Sequence, residues 1–228
     1  MEIEERLAKL KDRIRAACRR AGRDACEIRI LAASKTRNVA EILAAVRAGI
    51  DLIGENTVQE ARAKFEFLPL NLEKHFIGTL QPNKARQAVR LFDLVQSVNG
   101  LELAQRLDRE AAKLGRRYPV LIEVNPAGEI SKRGVRLEEA HRLADRLLRL
   151  EHLRLEGLMA MMPYAEDPET VRPYFRQMKE LFEELRRHTG LDLEILSMGM
   201  SGDFEVALEE GATMIRLGSS IFGPRAPG

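Results

Sequence analysis

Cysteine is nearly missing from this chain: Cys18 and Cys26 are the only two in 228 residues. Two are too few for a disulfide framework, and a bridge between them would close only a short local loop, so both are expected as reduced thiols in a cytoplasmic protein. Histidine is as sparse. His75, His141, His152 and His188 lie far apart, and no HExxH or CxxC pattern occurs, which excludes the familiar zinc sites. Neither sign of charge prevails: 37 Lys and Arg stand against 35 Asp and Glu, a net of +2. That balance provides no general field for nucleic acid. No apolar run approaches the length of a membrane span, and the charged opening MEIEERLAKLKDRIRAACRR is no secretory signal. Linkers, low-complexity tracts and breaks in composition are missing too.

What is present is an ordinary globular composition, 45% hydrophobic and 32% charged. Ile3, Leu7, Leu10, Ile14 and Ala17 fall at helical spacing, so an amphipathic helix is expected up to a glycine stop at Gly22. From there short apolar runs alternate with helical stretches. The strand candidates are Ile28–Ala33, Asp51–Ile53, His75–Ile77, Leu94–Val98, Val120–Val124, Arg154–Ala160, Glu194–Ser197 and Met214–Leu217. Between them fall helix candidates at Val39–Ala48, Gln59–Phe67, Asn83–Phe92, Leu101–Leu114, Leu137–Leu150, Glu169–Arg187 and Phe204–Glu210. Continuous apolar strands suit a parallel sheet covered on both faces. Eight βα units point to an α/β fold: one (β/α)8 TIM barrel over 1–228 with an extra N-terminal helix and a flexible tail at 224–228. Periodicity does not show closure, so an open doubly wound sheet is the alternative.

A barrel places chemistry at the C-terminal ends of its strands, with phosphate sites after strands seven and eight. Lys35 follows the first strand in Ser34-Lys35-Thr36, where a desolvated amine can form an imine with a carbonyl. A lone lysine there is ordinarily just solvated. Ser197-Met198-Gly199-Met200-Ser201 follows strand seven, and Arg216-Leu217-Gly218-Ser219-Ser220 follows strand eight. Their glycines let backbone approach a ligand, and the hydroxyls of Ser201 and Ser219 suit phosphate oxygens. Taken singly, Gly218 reads equally as a turn and Ser201 as a helix cap. Arg216, at the inner end of the last strand, requires either a carboxylate partner or a ligand. Asn56, in Gly54–Glu60, suits a ring contact or the cap of the next helix. Met159, Met161 and Met162 read as packing or pocket wall, and Arg19, Arg20 and Arg23 as a solvated helix end.

Taken together, Ser34-Lys35-Thr36, Gly54–Glu60, His75–Lys84, Ser197–Ser201 and Arg216–Gly223 resemble the pyridoxal phosphate homeostasis (YggS/PROSC) family, itself similar to the N-terminal barrel of alanine racemase. The likeness runs the length of the chain, in order. Ser219 stands where many members carry Thr, and Asn99 where Asp is common. The resemblance implies that Lys35 forms an internal aldimine with pyridoxal 5′-phosphate (PLP) and that Asn56 lies beside its ring. It further implies phosphate contacts from Ser201, Gly218 and Ser219, and a pyridine-nitrogen contact from Arg216. Glu129–Gly134 shares the likeness, with no role implied for Lys132.

The family implies a cytoplasmic regulator that buffers or delivers PLP, with PLP-dependent apoenzymes as acceptors, no nucleic-acid or membrane partner, and a monomeric state. A permanently charged Arg216 donates to an unprotonated pyridine nitrogen, which weakens the cofactor as an electron sink. Alanine racemase has an arginine there as well, so this does not exclude racemization. More telling is that such racemases add a β-domain and an opposing catalytic tyrosine, whereas this chain finishes soon after strand eight and Tyr118, Tyr164 and Tyr174 carry no such motif. The rivals are a PLP-dependent racemase and a Schiff-base aldolase barrel without cofactor.

Overall fold

The N-terminal hydrophobic periodicity forms helix α1 (Ile3–Arg20), which buries Leu7, Leu10, Ile14, Ala17 and Cys18. Gly22 ends it at φ +67°, with Arg23 N–H returning to Cys18 O at 2.9 Å. In this computed structural model, which describes residues 2–129 and 132–224, eight parallel strands then alternate with helices. They are β1 (Arg29–Ala33), α2 (Val39–Arg47), β2 (Leu52–Glu55), α3 (Val58–Lys64), β3 (Glu73–Phe76), α4 (Ala85–Leu91), β4 (Leu94–Val98), α5 (Leu101–Ala112), β5 (Tyr118–Val124), α6 (Leu137–Leu147), β6 (Leu153–Ala160), α7 (Arg172–Thr189), β7 (Ile195–Ser197), α8 (Phe204–Glu209), β8 (Met214–Leu217) and α9 (Ser219–Phe222). The strands close in chain order, β8 pairing with β1. The barrel holds, and the open sheet is excluded. The expected tail lies outside the described residues apart from Pro224.

Alternate residues of each strand face opposite ways, and this divides the core in two. Leu31, Leu52, Leu94, Leu121, Met159, Ile195 and Met214 fill the barrel, while a larger shell that includes Ala32, Ile53, Val95, Ile122, Leu158 and Ile215 packs beneath the helices. β2 differs from expectation, running to Glu55 rather than stopping at Ile53. Its pairing with β3 carries Gly54 and Glu55 into the sheet, an effect no local apolar count contains. Three of the expected helices give up part of their length to 3-10 turns. Phe65–Phe67, Pro82–Lys84 and Pro168–Val171 are 3-10 turns; in the last two the proline occupies the first turn, where its missing N–H costs little.

Arg19 and Arg20 are exposed, as expected of a solvated helix end, while Arg23 is half-buried. Arg20 Nε donates to Glu209 Oε1 at 2.7 Å and Arg23 Nη1 to Leu208 O at 2.7 Å, tying α1 to α8. Both thiols are free, Cys18 buried and Cys26 exposed. Among the described residues no helix is long and apolar enough to cross a membrane.

Candidate functional site

Strand register decides which loops meet. β1 pairs Leu31 with Arg216 and Ala32 with Leu217 on β8, and Ala33 with Gly54 on β2. The turn after β1 thereby shares one sector of the C-terminal rim with Asn56 on one side and Gly218 and Ser219 on the other. A cavity of about 200 Å³ opens there, lined by Ala33, Lys35, Arg37, Gly218 and Ser219.

Lys35 is half-buried within a turn closed by Arg37 N–H to Ser34 O at 3.0 Å. The next residue, Thr36, has φ +65°, a left-handed conformation that a β-branched residue adopts only under constraint. The constraint is visible. Fully buried Glu55 accepts from Ser34 Oγ and from Lys64 Nζ, both at 2.8 Å on Oε1. Lys64 Nζ also donates to Ser34 O at 3.0 Å and to Glu60 Oε2 at 3.0 Å, and Glu60 Oε2 takes the Thr36 N–H at 3.1 Å. The turn is held at the residues on either side of Lys35. Burial pushes the Glu55 carboxyl up to about 7 against the pull of Lys64 and Ser34, and its Oε2 is buried without a hydrogen-bond partner among the described residues.

Asn56 does not cap α3. Thr57 does, its Oγ1 accepting from Glu60 N at 3.2 Å. Asn56 is instead fixed by its main chain, because Gly78 packs so closely that a Cβ there would lie 2.0 Å from Asn56 O. Ser201 likewise caps nothing on α8, whose N-cap is Asp203. Its Oγ accepts the Ser220 N–H at 3.3 Å, which joins the β7 loop to the β8 loop.

Gly218 has φ −111°, and a Cβ built on it would meet only Ala33 O at 3.6 Å and Ala33 Cβ at 3.9 Å. Neither backbone conformation nor packing within the chain demands glycine here. Its missing side chain leaves room beside Lys35 and Ser219.

Arg216 is 5% exposed and is held by neutral oxygens. Nη1 donates to Ser197 O at 2.7 Å and Ser197 Oγ at 2.8 Å, and Nη2 to Ala160 O at 2.7 Å. Burial pushes it down to about 10, so it remains a cation at neutral pH, with Asp203 and Glu123 acting through space. A guanidinium has five N–H groups, and these contacts leave donors for a ligand. Lys132, to which no role was assigned, donates to Met162 O at 2.9 Å and to Glu129 Oε1 at 3.3 Å.

Four of the six expected residues therefore converge by register or by cavity: Lys35, Asn56, Gly218 and Ser219. Ser201 joins them through Ser220, and Arg216 lies one residue pair inside. Ser34 and Glu55 fall inside the recurrent motifs without a role read for either, and Lys64 falls outside them. Their one signal was an acidic residue closing an otherwise apolar strand.

Comparison with known proteins places the chain among relatives. Residues 6–226 match the family described as alanine racemase, N-terminal domain. A pyridoxal phosphate homeostasis protein of Aquifex aeolicus is 45% identical over 226 residues, covering 99% of each chain. The protein of that name from Escherichia coli K12 is 42% identical over 232 residues, covering 98% of this chain and 97% of its own. The solved structure of PipY from Synechococcus elongatus, with PLP bound, superposes with a TM-score of 0.83 at 36% identity, covering 97% of this chain and all 100% of that one.

Proposed function

Since the chain belongs to the alanine racemase N-terminal domain family, and within it to the pyridoxal phosphate homeostasis proteins, we propose that it binds pyridoxal 5′-phosphate through Lys35 and serves to buffer or deliver it rather than to catalyse. The observation that carries this reading is the cavity shared by the Lys35 amine, Gly218 and Ser219, in which a side chain on residue 218 would occupy free space. When bound, the cofactor supplies an aldehyde that condenses with a primary amine, releasing water, and a phosphate that accepts N–H and O–H donors.

In this reading Lys35 provides the amine, and the Glu55–Lys64–Glu60 cluster keeps its turn in the strained conformation that presents it. Ser201, Gly218 and Ser219 surround the phosphate. Asn56 borders the ring, and Arg216 donates to the pyridine nitrogen without protonating it, because a guanidinium still charged at neutral pH does not release its proton there. The residues fit the group in number and kind: one amine, hydroxyl donors, one buried cation.

Regulation rather than turnover fits a cavity in which, among the described lining residues, Lys35 is the one amine and none is a tyrosine. Reversible release to an acceptor enzyme's lysine, a cytoplasmic setting and a monomeric state complete the proposal. Absorbance spectroscopy tests it. Protein titrated with PLP should develop a visible band that Lys35→Ala abolishes and that borohydride bleaches. A parent band surviving in Lys35→Ala would show that another amine is the attachment point.

A further inference from the structure

The barrel interior is not wholly apolar. Ser197, Gln96 and His75, from β7, β4 and β3, are each 0% exposed, and their hydrogen bonds run in one direction. Arg216 Nη1 donates to Ser197 Oγ at 2.8 Å, and Ser197 Oγ donates to Gln96 Oε1 at 2.7 Å. Gln96 Nε2 has two hydrogens; one reaches Met214 Sδ at 3.2 Å and the other His75 Nδ1 at 2.9 Å. An amide nitrogen only donates, so His75 Nδ1 is the acceptor and its proton sits on Nε2. That Nε2–H meets Glu73 Oε1 at 2.6 Å, and Glu73 Oε2 accepts from Arg29 Nη2 at 2.6 Å. The chain begins beneath the cofactor mouth and ends at the opposite rim of the barrel.

We propose that Ser197, Gln96 and His75 are positioning residues for Arg216, fixing its guanidinium toward the pyridine nitrogen through a single directional run of hydrogen bonds anchored on Glu73 and Arg29. This rests on the assignment of Arg216 to the ring nitrogen. Each member has its donor and acceptor roles set by its neighbours, so no side chain in the run can turn alone without leaving a buried polar group unpaired. The imidazole is the point of control. The groups facing it are Glu73 on its own strand, Arg29 from β1, Gln96 from β4 and Asp93 just before β4. Burial holds His75 below its ordinary value, and the bond from His75, aided by Arg29, holds Glu73 down to about 2. A neutral imidazole over an ionised carboxylate is what the donor order requires. A proton on Nδ1 would confront the Gln96 amide hydrogens and force the amide to reverse.

Two measurements test this. In protein free of cofactor, ¹⁵N spectra of the imidazoles, assigned with His75→Gln, should show His75 as the neutral Nε2–H form from pH 6 to 8; an imidazolium or an Nδ1–H form there would overturn the proposal. In protein carrying PLP labelled at its ring nitrogen, that ¹⁵N shift reports the Arg216 contact directly. Gln96→Leu should move it and speed PLP release by about two- to tenfold, the loss expected of one or two neutral hydrogen bonds. Ser197→Ala, which removes one hydroxyl, should move it the same way and carries the test should Gln96→Leu not fold. Gln96→Glu, which still accepts from Ser197, should restore the parent shift while His75 becomes an imidazolium. If Arg216→Ala moves the ring shift but neither Ser197→Ala nor a folded Gln96→Leu does, the positioning role is wrong and the cofactor assignment stands. If Arg216→Ala also leaves it unchanged, the assignment of Arg216 falls, and this inference with it.

Discussion

Glu55 is an acid in an environment that opposes its charge. Its carboxyl is fully buried, and burial moves it from the ordinary 4.5 to about 7. Between those values the folded protein binds more protons than the unfolded chain, so unfolding free energy falls as pH rises through that window. Glu55→Gln removes the effect. The stability of the parent relative to Glu55→Gln should therefore decline from pH 4.5 to 7, by about 1–3 kcal/mol, and level off above. Denaturant melts at several pH values check it, and a relative stability that rises with pH refutes it. Gly218 makes the complementary case. A Cβ there meets nothing nearer than 3.6 Å, so Gly218→Ala should leave the melting temperature within about 2 °C while weakening PLP retention severalfold. Equal loss of both would mean that the glycine serves the fold.

At the scale of elements, the C-terminal helices are joined by ions rather than by apolar area alone. Arg172, at the start of α7, donates to Glu169 Oε1 and Oε2 at 2.7 and 2.6 Å, to Glu209 Oε2 at 2.6 Å and to Glu210 Oε1 at 2.8 Å. Glu209 also takes Arg20 of α1, so three helices meet at one carboxylate pair. Isolated surface pairs contribute little, but this one is a network around a guanidinium only 23% exposed. Arg172→Ala should cost about 1–2 kcal/mol and lower the melting temperature by roughly 2–6 °C, less at high salt. Calorimetry at two ionic strengths measures this; a loss independent of salt would point to packing instead.

Across the whole molecule, register is what turns eight separate strands into one site. The closed barrel delivers residue 35, residue 56 and residues 218–219 to neighbouring positions on one rim. A larger cavity, about 460 Å³, lies at the other rim among Arg29, Glu73, Asp93, Arg154 and Glu194, so cavity size alone would mislead. Arg216 carries the expectation for the molecule as a carrier. Under the proposed assignment, a buried cation at the ring nitrogen would leave that nitrogen unprotonated and so limit withdrawal of electrons from a substrate carbon. Protein carrying PLP, incubated in D₂O with single-enantiomer amino acids, should exchange α-hydrogen no faster than free PLP does. Exchange well above that rate would make it a catalyst.

Short apolar runs alternating with period-3.6 stretches were enough to determine the order of strands and helices, since burial of apolar residues is a local demand met residue by residue. Resemblance to a family singled out Lys35, Asn56, Ser201, Arg216, Gly218 and Ser219 as candidates, where residue type and strand position alone left ordinary structural roles open. What depends on contacts between distant strands was not written there. The extension of β2 to Glu55 by pairing with β3, the Lys64 bond to Ser34 O behind the Lys35 turn, and the run from Arg216 to Glu73 each join residues whose separation in sequence bears no relation to their distance in space. Only closure of the barrel brings them within hydrogen-bonding reach, and only burial gives those bonds their consequence.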